Sequence, residues 1–143
     1  MAEFSLLKVF GNLLYSTFQT LPHECTVDCI VPIPLHIRRL RERGFNQALL
    51  LARTLSKRTR IPCRERTLRK IKDTPFQTVL KGRERRRNLK GAFHVDNKMD
   101  IKGNSILLVD DVYTTGTTVN ECARTLLKEG ADKVAIVTLA RAI

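Results

Sequence analysis

The sequence contains no tryptophan and no apolar stretch near the roughly 20 residues that a membrane-spanning helix requires. The uncharged run from residue 9 to residue 23 is shorter than that and includes asparagine, serine, threonine and glutamine. An acidic residue at position 3 also argues against a cleaved secretion signal. We therefore expect no membrane insertion and a cytoplasmic location.

Cysteine is scarce and irregularly placed. The four cysteines, Cys25, Cys29, Cys63 and Cys122, do not have the spacing of a disulfide framework. His23 lies close to the first two, which suggests a zinc site, but no second pair of ligands follows. We expect four free thiols.

Acidic residues are also few: the sequence has 14 of them and 26 lysines and arginines, which gives a formal net charge of +12. Residues 36 to 90 alone hold 19 basic and 4 acidic side chains. A basic block of this kind binds polyphosphate, nucleic acid or an acidic protein surface. The alternative is a solvated charged surface with no partner.

The most informative stretch is residues 106 to 118, ILLVDDVYTTGTT. Four apolar residues predict a strand buried on both faces, which ends in Asp110 and Asp111. Hydroxyl side chains around Gly116 then lead into a helical pattern, and a helix start of this kind can cradle a phosphate. The two acids would repel that phosphate, so they are better suited to accept hydrogen bonds from a ribose diol. A plainer alternative is that they only end the strand and cap the helix.

This stretch resembles the phosphoribosyl-pyrophosphate (PRPP) motif of type I phosphoribosyltransferases. The resemblance implies that Asp110 and Asp111 bind the ribose hydroxyls. It implies that the 5′-phosphate is bound by the loop residues Thr114, Thr115, Gly116, Thr117 and Thr118. Several members that use a nucleobase carry an acidic general base where Thr114 stands. Either the acceptor needs no such base, or no transfer to a base takes place.

A second informative stretch, residues 35 to 47, places four arginines in a predicted short loop after a strand at residues 27 to 34. Arginine matches phosphate oxygens bidentately. The string around it is similar to that of the ComF family, phosphoribosyltransferase-like proteins of bacterial natural competence. The resemblance implies that Arg38, Arg39 and Arg43 bind the pyrophosphate of PRPP. The alternative is that these arginines pair only with Glu42 and solvent.

Residues 73 to 77 and 82 to 93 resemble another ComF signature, in the place of the mobile catalytic loop of type I enzymes. Such a loop closes over PRPP and excludes water. Arg85 and Arg86 would then offset the charge of the departing pyrophosphate. Mg²⁺ is the implied cofactor, and it would bridge PRPP oxygens with no direct protein ligand assigned.

Strands that alternate with helices predict an α/β fold with a twisted, mainly parallel sheet flanked by helices. The resemblance implies that this is a type I phosphoribosyltransferase-like core. We expect helices at residues 3 to 20 and from Phe45 onward, and an edge strand at residues 66 to 71. A short strand is expected at residues 93 to 95 and the last core strand at 134 to 139. The helix after the PRPP motif should bury one face and end near Gly130. The residues of that face are Val119, Cys122, Ala123, Leu126 and Leu127.

We assign residues 1 to 26 to an N-terminal helix and linker that serves as a reduced hood or cap, and residues 27 to 143 to the phosphoribosyltransferase-like domain. ComF-like proteins commonly begin with a zinc ribbon. No CxxC pair of that kind is found in this sequence. Whether this is a natural loss or a truncation stays open.

Two functions are compatible with these patterns. The first is a PRPP-binding protein of the ComF type, with an implied role in competence and DNA uptake, which is a phosphoribosyltransferase if it is active. Its acceptor cannot be read from the sequence. The second is a non-enzymatic protein that binds single-stranded nucleic acid and keeps a vestigial PRPP site. The partners to consider are PRPP, single-stranded DNA and proteins of the competence machinery.

Overall fold

The structure is a computed structural model that describes residues 2–74, 82–113 and 116–141. Its elements follow one another as five helices, five strands and one short 3₁₀ turn within these ranges. They are α1 (Ala2–Gln19), β1 (Cys29–Pro32), α2 (Ile37–Arg43), α3 (Gln47–Thr59), β2 (Leu68–Lys70), α4 (Gly82–Leu89), β3 (Phe93–Val95), a 3₁₀ turn (Lys98–Asp100), β4 (Ser105–Tyr113), α5 (Thr117–Lys128) and β5 (Lys133–Arg141).

The central sheet is parallel and has the strand order β1-β4-β5. Leu108 of β4 is in register with Val31 of β1 on one side and with Ile136 of β5 on the other. The apolar run of β4 is buried because helices cover both faces of the sheet. This confirms the predicted α/β class and the predicted burial of the strand ahead of the two acids.

Side chains of β4 alternate between two apolar clusters. Leu107 and Val109 pack with α1 and α3, whereas Ile106 and Leu108 pack with α5 and the β2–β3 pair. The two clusters fix the order of the layers, with α1 and α3 on one face of the sheet and α5 on the other.

The N-terminal helix forms as expected and packs on α3 and β5 through Leu14, which is fully buried. It approaches α3 closely at Gly11, where a Cβ would lie 2.5 Å from Cγ2 of Thr54. Its predicted role as a hood stays a prediction.

The strand predicted at residues 66 to 71 is the shorter β2, and it pairs antiparallel with β3 outside the central sheet. The end of β2 touches the start of α2 through a parallel bridge between Lys70 and His36. An ion pair between Arg69 and Asp96, with nitrogen and oxygen 2.9 Å apart, ties the two strands together on their exposed side.

Two predictions of loop structure are wrong. The arginines after β1 lie on helix α2, because the His36 side chain accepts a hydrogen bond from the N–H of Arg38 and caps its start. Gly44, with φ of 81°, ends that helix in the left-handed conformation. Arg85 and Arg86 lie on helix α4, and residues 75–81 of the predicted mobile loop fall outside the described residues.

Two boundaries and the burial of one residue also differ from the prediction. β4 does not end at the acids but continues to Tyr113, because β5 pairs with it as far as Arg141. The helix expected from Phe45 begins at Gln47, since the Asn46 side chain caps it. Leu127 is 47% exposed and does not join the buried face of α5 formed by Val119, Cys122 and Leu126.

Candidate functional site

Asp110 and Asp111 lie in the last part of β4, beyond the point where its neighbour β1 ends. The N–H of Ile33 donates to the carbonyl of Val109 at 2.9 Å, but the carbonyl of Ile33 accepts from the side chain of Asn46 instead of continuing the ladder. The N–H of Asp111, two residues after Val109, donates to Oδ1 of Asp110 at 2.9 Å. The strand therefore leaves the sheet edge open just where the two acids are.

The two carboxyl groups are close enough to affect each other. Burial raises the pKa of Asp110 to about 7, and a hydrogen bond and the charge of Asp111 add to the effect. Oδ1 of Asp111 accepts the N–H of Val112 at 2.9 Å. Near neutral pH one carboxyl thus holds a proton for part of the time, so the pair can both donate to and accept from a diol.

The start of α5 follows the acids, and it is the place at which we predict a phosphate to bind. Gly116 is the N-cap of α5 with φ of 78°, a conformation that favours glycine, and it is buried. It brings no side chain to cap the helix, so the helix start is shaped for a close approach by an anion. Thr117 and Thr118 open the helix, whereas Thr114 and Thr115 lie outside the described residues.

The arginines on α2 lie beyond the end of β1, next to the same edge of the sheet. Nη1 of Arg38 donates to Oδ2 of Asp73 at 3.1 Å, and Glu42 is a second, more distant partner. Arg43 differs from the others because its guanidinium lies over the ring of Phe45, 5.6 Å from the centroid. These contacts bring Arg38 to the chain just after β2, while Arg43 contacts an exposed ring.

Lys70 is a further cationic residue of this edge that we did not predict. It is half-buried, and burial lowers its pKa, with the charge of Arg39 acting in the same direction. Burial raises the pKa of the Cys122 thiol, and the charges of Asp110 and Lys70 also act on that thiol. The alternation of side chains along β2 could have identified Lys70 from the sequence, because it lies two residues after the buried Leu68 and thus on the same face.

Arg85 and Arg86 belong to α4, which packs against α5. Arg86 lines a cleft between these helices together with Thr117, the first residue of α5. The structure therefore places Arg86 beside the predicted phosphate position. Contact between either arginine and pyrophosphate stays a prediction.

Metal ligands are not clustered in the part of the chain that the structure describes, where no three His, Cys, Asp or Glu side chains converge. Cys25 is exposed and Cys29 is buried, so the two cysteines nearest His23 lie at different depths. No helix among the described residues is long and apolar enough to cross a membrane.

The arrangement suits a ligand that carries hydroxyl groups between two phosphate-bearing ends. The acid pair can bind hydroxyls, the start of α5 can bind one phosphate, and Lys70 with the α2 arginines can bind a more highly charged group. All three parts lie at the carboxyl edge of the parallel strands, the usual position of ligands in open α/β sheets.

Comparison with known proteins agrees with this geometry. The family model of the phosphoribosyl transferase domain matches residues 45–143. The chain therefore belongs to the phosphoribosyl transferase domain family. The adenine phosphoribosyltransferase of Rhodothermus marinus superposes with a TM-score of 0.58 over 96% of this chain and 80% of that one. At 16% identity this likeness shows the fold alone, and it confirms the predicted type I core.

Relatives with similar sequences define the family of the chain more narrowly. Competence protein F of Haemophilus influenzae is 40% identical over 98% of this chain and 63% of its own length. The DNA utilization protein YhgH of Escherichia coli K12 is 40% identical over 81% of this chain and 50% of its own length. The predicted ComF resemblance is confirmed, and the chain spans about half to two-thirds of the length of these relatives.

Proposed function

We propose that this chain binds PRPP at the carboxyl edge of its central sheet. The observation that carries the proposal is the position of Asp110 and Asp111 on β4, immediately ahead of the glycine-capped start of α5. In this arrangement the acid pair accepts and donates hydrogen bonds to the ribose hydroxyls. The N–H groups and hydroxyls at the start of α5 hold the 5′-phosphate.

The pyrophosphate end of PRPP is assigned to the cationic residues around the ends of β1 and β2. Arg38 and Arg39 lie on α2, and Lys70 faces Arg39 closely enough for their charges to repel. A pyrophosphate between them relieves that repulsion and supports binding electrostatically. Arg43 is a weaker candidate because its guanidinium is stacked on Phe45.

Mg²⁺ fits this edge because carboxylate and phosphate oxygens are its preferred ligands. The ion would bind through oxygens of PRPP, with no direct protein ligand assigned, and it would supply positive charge against the pyrophosphate. The chain's own contribution is to orient the ribose between its two phosphate groups and to limit access of water to it.

We further propose that the chain acts in competence and DNA uptake, which is supported by its likeness to proteins named competence protein F and DNA utilization protein YhgH. Proteins of the competence machinery are the proposed partners in that role. A cytoplasmic location stays a prediction.

The proposal is tested by calorimetric titration of PRPP into the purified chain, with and without Mg²⁺. We expect saturable binding at one site that is tighter with Mg²⁺. A folded chain that releases or absorbs no heat with PRPP, and that does not change its melting temperature with PRPP present, would contradict the proposal.

A further inference from the structure

A basic cleft of about 460 Å³ lies between α4 and α5. Four cationic side chains line it: Arg86, Arg87 and Lys90 from the α4 side, and Arg124 from α5. Asn120 and Glu121 complete its α5 wall. The cleft is on the face of the sheet that α5 covers, opposite to α1 and α3.

The residues of the cleft follow helical spacing on both walls. Lys90 follows the last residue of α4, and its N–H donates to the carbonyl of Arg86 at 3.1 Å, so the two residues continue the helical spacing. Asn120 and Arg124 are likewise four residues apart and lie on one face of α5. Within each pair the two side chains are one helical turn apart, about 5.4 Å. The two faces oppose each other because α4 packs on α5.

Positive charge exceeds negative charge in the cleft, which has four cations and one acid in its lining. Within the described residues, no carboxylate forms an ion pair with Arg86, Lys90 or Arg124. The one acid in the wall, Glu121, accepts a hydrogen bond from the N–H of Gly91 at 3.3 Å. Opposed cations with no partner produce a strong positive potential in a concave site, which attracts anions.

We propose that this cleft binds the phosphodiester backbone of a single-stranded nucleic acid. Three cations on the α4 side, facing Arg124 on α5, suit an anion with several phosphate groups better than a single phosphate. No aromatic side chain lines the cleft, so it offers no base stacking. Binding through the backbone alone is independent of sequence and weakens steeply with salt.

The cleft is separate from the pyrophosphate position on α2, but it reaches the start of α5 at Thr117. A strand bound there lies beside the proposed 5′-phosphate position. The inference does not rest on PRPP binding, because the two cations that the test removes, Lys90 and Arg124, have no assigned role at the PRPP site.

The test uses fluorescence anisotropy of a labelled oligothymidylate with the full chain over a range of salt concentrations. The cleft variant combines Lys90→Gln with Arg124→Gln, both at exposed positions. The control variant combines Lys8→Gln with Lys57→Gln, which are exposed residues of α1 and α3 on the opposite face of the sheet. Both variants lower the net charge by the same amount.

We expect the cleft variant to lose about tenfold or more in affinity for the oligonucleotide while the control stays within about twofold. The slope of log affinity against log salt should fall by about 1.4, the value for two phosphate contacts on a single strand. Equal losses in the two variants would show attraction to net charge only, and would overturn the proposal. So would wild-type affinity in the cleft variant.

A second arm separates nucleic acid from free polyphosphate and from PRPP. Unlabelled oligothymidylate should displace the probe, whereas inorganic pyrophosphate at the same phosphate concentration should not. Displacement by pyrophosphate alone at equal potency would overturn the assignment to nucleic acid. If the wild-type chain binds oligonucleotide through the cleft but gives no signal with PRPP, this inference stands and the proposed PRPP function fails.

Discussion

Nη1 of Arg38 donates a hydrogen bond to Oδ2 of Asp73 at 3.1 Å, which links the first turn of α2 to the chain just after β2. The two side chains are 73% and 39% exposed, so their ion pair adds little to stability. Asp73 therefore positions Arg38 at the sheet edge without holding it strongly. A pyrophosphate with its higher charge can replace the carboxylate as partner.

Arg38→Gln should weaken binding of PRPP and of inorganic pyrophosphate by about tenfold or more, because a hydrogen bond to a charged group contributes about 1.5–3 kcal/mol. Binding of ribose 5-phosphate, which has no pyrophosphate, should change little. Calorimetry with the three ligands measures the difference. Lys57→Gln on α3 is the control of equal charge, and a uniform loss for all three ligands would contradict the assignment of Arg38.

Lys70→Gln should raise the free energy of unfolding and weaken the binding of pyrophosphate. The pKa of Lys70 is lowered by burial and by Arg39, so the folded state holds its charge less readily than the unfolded state does. The penalty is present at neutral pH and is lost as the pH rises above the unfolded pKa. We expect a larger free energy of unfolding in urea at pH 7, together with about tenfold weaker pyrophosphate binding. If the variant bound pyrophosphate with unchanged affinity, Lys70 would not be part of the pyrophosphate site.

Asp110 should make stability depend on pH. Its pKa is raised to about 7, so between about pH 4 and pH 7 the folded state binds more protons than the unfolded state. Stability from this group is therefore present at low pH and is lost as the pH rises toward 7. Asp110→Asn keeps an Oδ1 acceptor for the N–H of Asp111 but does not ionise.

Denaturation of the Asp110→Asn variant should show a gain on the order of 2 kcal/mol over the wild type at pH 8 and almost none at pH 4. Asp96→Asn is the control, because the hydrogen bond from Arg69 lowers the pKa of that carboxyl. The control should lose stability at neutral pH. An Asp110→Asn gain that is the same at both pH values would show that the carboxyl is not titrating as described.

Gly116→Ala should weaken phosphate binding and lower the free energy of unfolding. A Cβ in the left-handed conformation costs roughly 1–2 kcal/mol, and at this position it also crowds the approach of an anion to the start of α5. Gly103 is the matched control, since its φ of 73° is similar and a Cβ there would meet nothing within 4 Å. Gly103→Ala should lose comparable stability yet keep wild-type affinity for ribose 5-phosphate. Equal affinities in the two variants would contradict the phosphate position.

The elements with strong apolar patterns could be predicted from the sequence. The run of four apolar residues before Asp110 and the periodic face of α5 each follow from burial alone, and both are found. The helical state of α2 was missed because seven largely charged residues have almost no apolar period, and a single cap from His36 decides their conformation. Propensity alone does not show such a cap.

The site could be predicted in part. The acids and Gly116 are adjacent in the sequence, so a local motif was enough to find them. Lys70 was missed because it is brought to the edge by the pairing of β2 with β3 and its bridge to His36, which are long-range contacts. The opposed cations of the α4–α5 cleft were visible only as net charge, since the packing of the two helices creates the site.

The most direct measurement is titration of PRPP with Mg²⁺ into the wild-type chain and into the Asp110→Asn, Asp111→Asn double variant. Inorganic pyrophosphate serves as the control ligand, because it does not use the acid pair. We predict saturable PRPP binding by the wild type, a loss of at least about 100-fold in the variant, and equal pyrophosphate binding by both. A folded double variant that binds PRPP as tightly as the wild type would contradict the account.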